Sequence, residues 1–389
     1  MLLDLFLVIV LAWAAGALVG KLGYPPVLGE LAAGVVAGPP VLGLVGPSEA
    51  LTILASFGVL LLMVLAGLRA DPADVARHAP SALLPALAGL LVPAGLGYLA
   101  VTRVAGGSPE AGLMVGVVLG VTSLATVSRV LIDLDILGSR LGQKLVCVSL
   151  FEVVLVLLAF AVVNGLVGGG DEPLALVVGK AAGFLAVAMA TGLFVLGPLA
   201  RAVGRAGLLA RPGVFTFVIA VGVGFGAASE AAGLTFVPGA FLAGLFLGRE
   251  ALGESFDAAL GSVRAAGIGF LTPVFFFTAG FAADLGVIVQ RPGLVAAVVG
   301  AGVLGKILAG TLGLSLTGGS WREGAVLGAG MNGRGGIDVI LAGAALAGGA
   351  IGADLFTALV LTTFAGTLPV PALLLAGRRW LASGAAPEA

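Results

Sequence analysis

Apolar runs of about twenty residues, each closed by a short polar or glycine- and proline-rich break, recur from one end of the chain to the other. At about 1.5 Å of rise per residue, runs of this length cross a bilayer as helices. The breaks divide the sequence into about thirteen spans, approximately 2–20, 25–44, 50–68, 81–102, 111–132, 143–168, 174–200, 212–229, 233–248, 260–282, 293–316, 323–348 and 354–377. The loops between them are short and leave no room for a separate soluble domain. The pattern predicts an all-α polytopic membrane protein, with residues 1–389 forming one integral membrane unit. The first run carries Asp4 and lacks a basic leader, so it reads as a retained helix rather than a removable signal.

Composition supports that class: 60% of the 389 residues are hydrophobic, 10% are charged, and the mean hydropathy is +1.20. The 65 glycines fall largely inside the spans, where they permit close helix packing and local breaks. One cysteine, Cys147, excludes an internal disulfide and a cysteine-based metal cluster, and one histidine, His78, argues against a histidine-rich site. There is no phosphate loop, nucleophile elbow or metal-ligand cluster. No cofactor and no resident metal are expected, and nothing supports nucleic-acid binding. Under the thirteen-span reading, Lys21, Arg69, Arg140, Lys144, Arg201, Arg378 and most other basic residues lie on one side of the membrane. The other side holds Arg103 and Arg291, with Lys180 near it. This imbalance places the N-terminus outside and the C-terminus in the cytoplasm of a bacterial-type inner (plasma) membrane.

Ionisable residues deep in spans are costly and default to a functional reading. Glu152 stands in the sixth span, Lys306 in the eleventh, and Arg334 with Asp338 in the twelfth; Arg129 lies toward the inner end of the fifth. The fifth span also carries a hydroxyl cluster, Thr122, Ser123, Thr126 and Ser128, and the twelfth reads Gly328-Ala-Gly-Met-Asn-Gly-Arg-Gly-Gly336. Both spans are expected to be interrupted helices. Each is fifth in a set of six, which is the pattern of inverted repeats whose broken helices meet at a midplane site. Broken ends leave backbone groups and partial charges that side chains, ions or substrate must match. Asn332 is expected to satisfy such backbone, Arg334 and Asp338 to meet on one helix face, Arg129 to anchor the inner end or pair with Asp133, and Glu30 to cap or pair at a helix end.

The order of these motifs resembles the cation:proton antiporter superfamily, in particular its second branch of NapA-like and Kef-like bacterial exchangers. The resemblance rests on Pro25-Pro-Val-Leu-Gly-Glu30, Leu61-Leu-Met-Val-Leu-Ala-Gly-Leu68, Thr122-Ser123 through Ser128-Arg129, Val237-Pro-Gly-Ala-Phe-Leu-Ala-Gly244, Pro273-Val-Phe-Phe-Phe-Thr-Ala-Gly280, Gly305-Lys306 and Gly330-Met-Asn-Gly-Arg334-Gly. It spans essentially the whole chain. It implies an elevator carrier working as a homodimer, with panel or dimerisation helices at 1–68 and 174–248 and core helices at 81–168 and 260–377. Thr122 and Ser123 then fall at the first helix break, and Lys306 matches the core lysine. Glu152 matches the first position of the family's two-residue acidic motif. Val153 stands at the second, where the transporting aspartate is usual; a register shifted by one would put Glu152 there instead.

The chemistry of Glu152 can be argued without the family. A proton-coupled cation carrier needs a group that is anionic when it holds Na+ or K+ and neutral when protonated. Burial and a nearby Lys306 ammonium act on that charge in opposite senses and bring both states within reach. A tight Glu152–Lys306 pair would instead mainly fix core geometry. With Val153 supplying no oxygen, hydroxyls such as Thr122, Ser123, Thr126 and Ser149, or backbone carbonyls, would join one carboxylate in a set that is sparse for a hard ion. The leading expectation is a proton-coupled antiporter of a monovalent cation with Glu152 as its core carboxylate. The alternatives are a carrier or exporter of an organic or hydrophobic solute, favoured by the apolar Val153, and a membrane-embedded enzyme using Glu152 as acid or base.

Overall fold

A computed structural model of the protein describes residues 2–69, 72–168, 174–209 and 213–384, and every regular element among them is helical. Eight helices are long and apolar enough to cross a membrane, from Leu2–Lys21 to Pro292–Leu316. A further candidate span is the pair Ala353–Thr367 and Val370–Leu381, bent by 42° at its break. The remaining expected spans are shorter or interrupted. Pro26–Ala37 and Phe236–Phe246 are single short helices. The fifth expected span divides into Pro109–Leu119 and Leu124–Asp133, and the twelfth into Trp321–Gly330 and Gly336–Ala347.

The chain forms two compact units. The first comprises residues 1–14, 30–74 and 161–281, and the second residues 15–29, 75–160 and 282–389. These divisions differ from the expected boundaries in placing 15–29 with the second unit and 161–168 and 260–281 with the first.

In the first unit, Glu49–Arg69 and Phe236–Phe246 touch backbone to backbone. A methyl group on Gly67 would lie 2.1 Å from the Phe241 carbonyl oxygen, and one on Gly244 would lie 2.1 Å from that of Val64. Contacts this close need small residues and hold helices together where hydrophobic association is weak, since lipid is as apolar as leucine. The Phe275-Phe276-Phe277 run packs inward, with Phe275 edge-on to Phe276 and Phe277 edge-on to Phe281.

The second unit holds the buried charges. Its lysine helix, Pro292–Leu316, starts with proline where a helix has no use for an N–H. It lies against Trp321–Gly330 at glycines: a methyl on Gly310 would meet the Gly328 nitrogen at 2.4 Å, and one on Gly328 the Lys306 carbonyl oxygen at 2.4 Å. Side-chain caps position the half-helices. The Ser108 hydroxyl accepts from the Ala111 N–H, Ser123 from Thr126, and Ser320 from Glu323, each satisfying an N–H that the first turn leaves unpaired. An apolar cluster including Val148, Phe151, Leu327 and Met331 packs around them.

A buried ion pair at two helix breaks

The interruptions in the second unit are the chain segments 120–123 and 331–335, and they are bonded to each other. The Thr122 hydroxyl donates to the Met331 carbonyl at 2.8 Å, and the Ser123 N–H donates to the Gly333 carbonyl at 2.8 Å. Thr126 donates to the Ser123 hydroxyl at 3.1 Å, and both hydroxyls lie where any side chain on Gly335 would have to go. The Thr122 hydroxyl and the Ser123 N–H of the fifth span thus serve the freed backbone of the twelfth, as buried backbone groups away from water require.

Beside this crossing, Lys306 and Glu152 are both fully buried. The Lys306 ammonium donates three hydrogen bonds: to Glu152 Oε1 at 3.0 Å, to the Gly89 carbonyl at 3.0 Å and to the Gly120 carbonyl at 2.7 Å. All three of its protons are therefore used. The second carboxylate oxygen, Glu152 Oε2, has no hydrogen-bond partner, and neither has Ser149 Oγ one turn earlier on the same helix. Thr122 lies beside the Glu152 carboxyl, but its proton goes to Met331. A buried oxygen left without a donor costs free energy unless something fills the place.

Arg334 and Asp338 do not share a helix face as expected, because Arg334 lies in the break and Asp338 in the first turn of Gly336–Ala347. Arg334 Nη2 donates to the Leu119 and Gly302 carbonyls at 2.9 and 3.2 Å, and its backbone N–H donates to Thr367 Oγ1 at 3.0 Å. Asp338 accepts the Gly335 N–H at 2.9 Å and the Thr363 hydroxyl, so it caps the second half-helix. Asn332 donates to the Val303 and Gly328 carbonyls, both at 3.2 Å, while its Oδ1 is unpartnered.

The structure therefore brings Glu152, Lys306, Thr122, Ser123 and Thr126 together around the crossing. Glu30 is elsewhere: it sits inside Pro26–Ala37, half-buried, and neither caps that helix nor pairs with a described residue. Arg129 and Asp133, and hence their expected pairing, lie outside the described side chains. Val153 is buried beside Glu152 on the same helix. Gly89 and the carbonyl of Gly120 were not singled out from the sequence, because a backbone acceptor has no side-chain signature. Thr363 and Thr367 were also missed, although their spacing in an apolar span marks two hydroxyls on one helix face.

The family model described as sodium/hydrogen exchanger, transmembrane, matches residues 6–375. The chain is 29% identical over 360 residues to the Na(+)/H(+)-K(+) antiporter GerN of Bacillus cereus, covering 92% of each protein. It is 27% identical to the probable Na(+)/H(+) antiporter GerT of the same organism, over 95% of this chain and 97% of that one. The solved structure of the sodium proton antiporter MjNhaP1 from Methanocaldococcus jannaschii has the same fold, with a TM-score of 0.74 over 98% of this chain and 97% of the other at 18% identity.

Proposed function

Because this chain belongs to the sodium/hydrogen exchanger family and is a multi-pass membrane cation/proton antiporter, we propose that it exchanges Na+ or K+ for protons at Glu152. The observation that carries this reading is the unpartnered Oε2 of a fully buried carboxylate whose other oxygen is held by Lys306. A dehydrated monovalent cation needs such an anionic oxygen, with neutral oxygens around it. Ser149 Oγ and Asn332 Oδ1 are buried and unpartnered, and Thr122 Oγ1 retains acceptor capacity after donating to Met331.

The charges explain why cation and proton would be coupled. Among the described residues, the buried ionisable groups of the second unit are two carboxyls, Glu152 and Asp338, and two cations, Lys306 and Arg334. Written in their ordinary charge states they sum to zero. Isolated charge in a low-dielectric interior is expensive, so a cation entering this cluster favours release of a proton from the Glu152–Lys306 pair. Arg334 and Asp338 are tied to backbone and hydroxyl partners and hold the two breaks in place. In this reading the second unit is the transporting core and the first unit the panel, in a homodimer that works as an elevator with its basic loops in the cytoplasm, as the family resemblance implies. Light scattering of the purified protein that returned a single-chain mass would remove the dimer from it.

The test is proton release from proteoliposomes on addition of each alkali cation across a pH series. The wild-type chain is expected to respond to Na+ or K+, and Glu152→Gln to lose the response. Removing one member of a buried pair destabilises by about 3–5 kcal/mol, so the variant is scored only after its unfolding midpoint shows it folded. A wild-type chain flat for every alkali cation would overturn the proposal outright. In the same assay Val153→Asp shows whether a second carboxylate at the position the family usually fills raises the flux.

A further inference from the structure

The second unit contains a cavity of about 530 Å³ that takes no part in the ion-pair cluster. Arg140, Gln143 and Lys144 line it from the start of Arg140–Gly168, and Val148, Leu314 and Leu327 supply apolar wall. Arg140, Lys144, Val148 and Glu152 follow at intervals of four, along one face of that helix. The helix N-terminus adds partial positive charge at the Arg140 end. No carboxylate is among the described lining residues, and neither Arg140 nor Lys144 has an ion pair or side-chain hydrogen bond with a described residue. The volume falls within the range of ordinary ligand sites, about 300–1,000 Å³.

Two cations with no ion partner among the described residues, above an apolar wall and at the end of a candidate membrane span, call for a ligand with an anionic head and a hydrocarbon body. A free phosphate would meet the cations and leave the wall unmatched; an uncharged lipid would do the reverse. We propose that this cavity binds an anionic phospholipid, its phosphate between Arg140 and Lys144 and its proximal acyl segment against Val148, Leu314 and Leu327. Basic pockets between membrane helices at the bilayer surface recognise lipid headgroups by this chemistry. The proposal rests on the function proposed above only in assigning the lipid to the cytoplasmic leaflet. It also places the occupant one helical turn from the ion pair, since Val148 precedes Glu152 by four residues and Pro85, another lining residue, precedes Gly89 by four.

Cys147 lines the cavity and is the chain's one cysteine, so it reports on occupancy without any substitution. The full chain, purified in detergent, is labelled with a maleimide while phosphatidylglycerol, phosphatidylcholine or inorganic phosphate is titrated. Phosphatidylglycerol is expected to slow labelling saturably. Its half-effect concentration should rise about fivefold in Arg140→Gln or Lys144→Gln, and about thirtyfold in the double variant. The rise in unfolding midpoint that phosphatidylglycerol gives, read on the same variants, carries the test independently of thiol access. Equal protection by phosphatidylcholine, equal protection by inorganic phosphate, or indifference of both readouts to the double variant each overturns the proposal. Lipid binding of this kind in a chain that exchanges no cation would sink the proposed transport and leave the lipid site standing.

Discussion

At residue 89 the chain can carry only hydrogen. A methyl group there would lie 1.5 Å from Glu152 Oε1 and 2.7 Å from Met331 Cε, while the carbonyl of the same residue accepts from Lys306. Gly89→Ala is therefore expected to push the carboxylate off the ammonium. Overpacking of this kind destabilises by about 1–3 kcal/mol, and cation-dependent proton flux should fall with it. A variant matching the wild type in both unfolding midpoint and flux would show that the pair does not need this contact. Glu152, Lys306, Thr122 and Asn332 were legible in the sequence because a charge or polar group in an apolar run has to be matched by something. Gly89 was not: one glycine among 65 announces neither its carbonyl nor the side chain it leaves room for. The Arg334–Asp338 spacing was legible, but not its geometry: the helix does not continue between them, and the two charges act on each other across the break rather than along one helix face.

Among the elements, the two interruptions were legible for a physical reason: glycines and hydroxyls replace the straight-chain residues that favour an unbroken helix. The bend between Thr367 and Val370 and the wider turns at Ala100–Val104, Gly192–Leu196 and Gly267–Leu271 were not anticipated, because they leave the apolar periodicity almost intact. The contact of the lysine helix with Trp321–Gly330 gives a direct test of how much a glycine seam contributes. A side chain on Gly328 meets the Lys306 backbone rather than a flexible tip, so Gly328→Val must separate the two helices. The yield of folded protein and its unfolding midpoint should drop sharply. Gly300, on the same lysine helix, has open space where its side chain would be. Gly300→Ala should leave both measurements near wild type or raise the midpoint slightly, given alanine's helix preference of about 1 kcal/mol over glycine. Equal loss in both variants would mean that glycine content, not the seam, sets stability.

For the molecule as a whole, the uneven distribution of Lys and Arg between loops carries the orientation. A C-terminal tag is expected to resist protease added outside intact cells and to be cut once the membrane is opened; cleavage in intact cells would reverse the proposed topology. How residues divide between compact units was less legible than the class of the protein, because span length records the thickness of the bilayer and not which helix neighbours which. The buried cluster of Glu152, Asp338, Lys306 and Arg334 has a consequence at this scale too. Moving one elementary charge through 100 mV is worth about 2.3 kcal/mol, so a carrier whose moving part bears net charge is pushed by the membrane voltage. A carrier built on the described cluster, balanced two against two and taken in the proposed exchange to load one cation for each proton it gives up, is not. Its turnover then follows the two concentration gradients alone, and a de-energised vesicle should run it as fast as a polarised one.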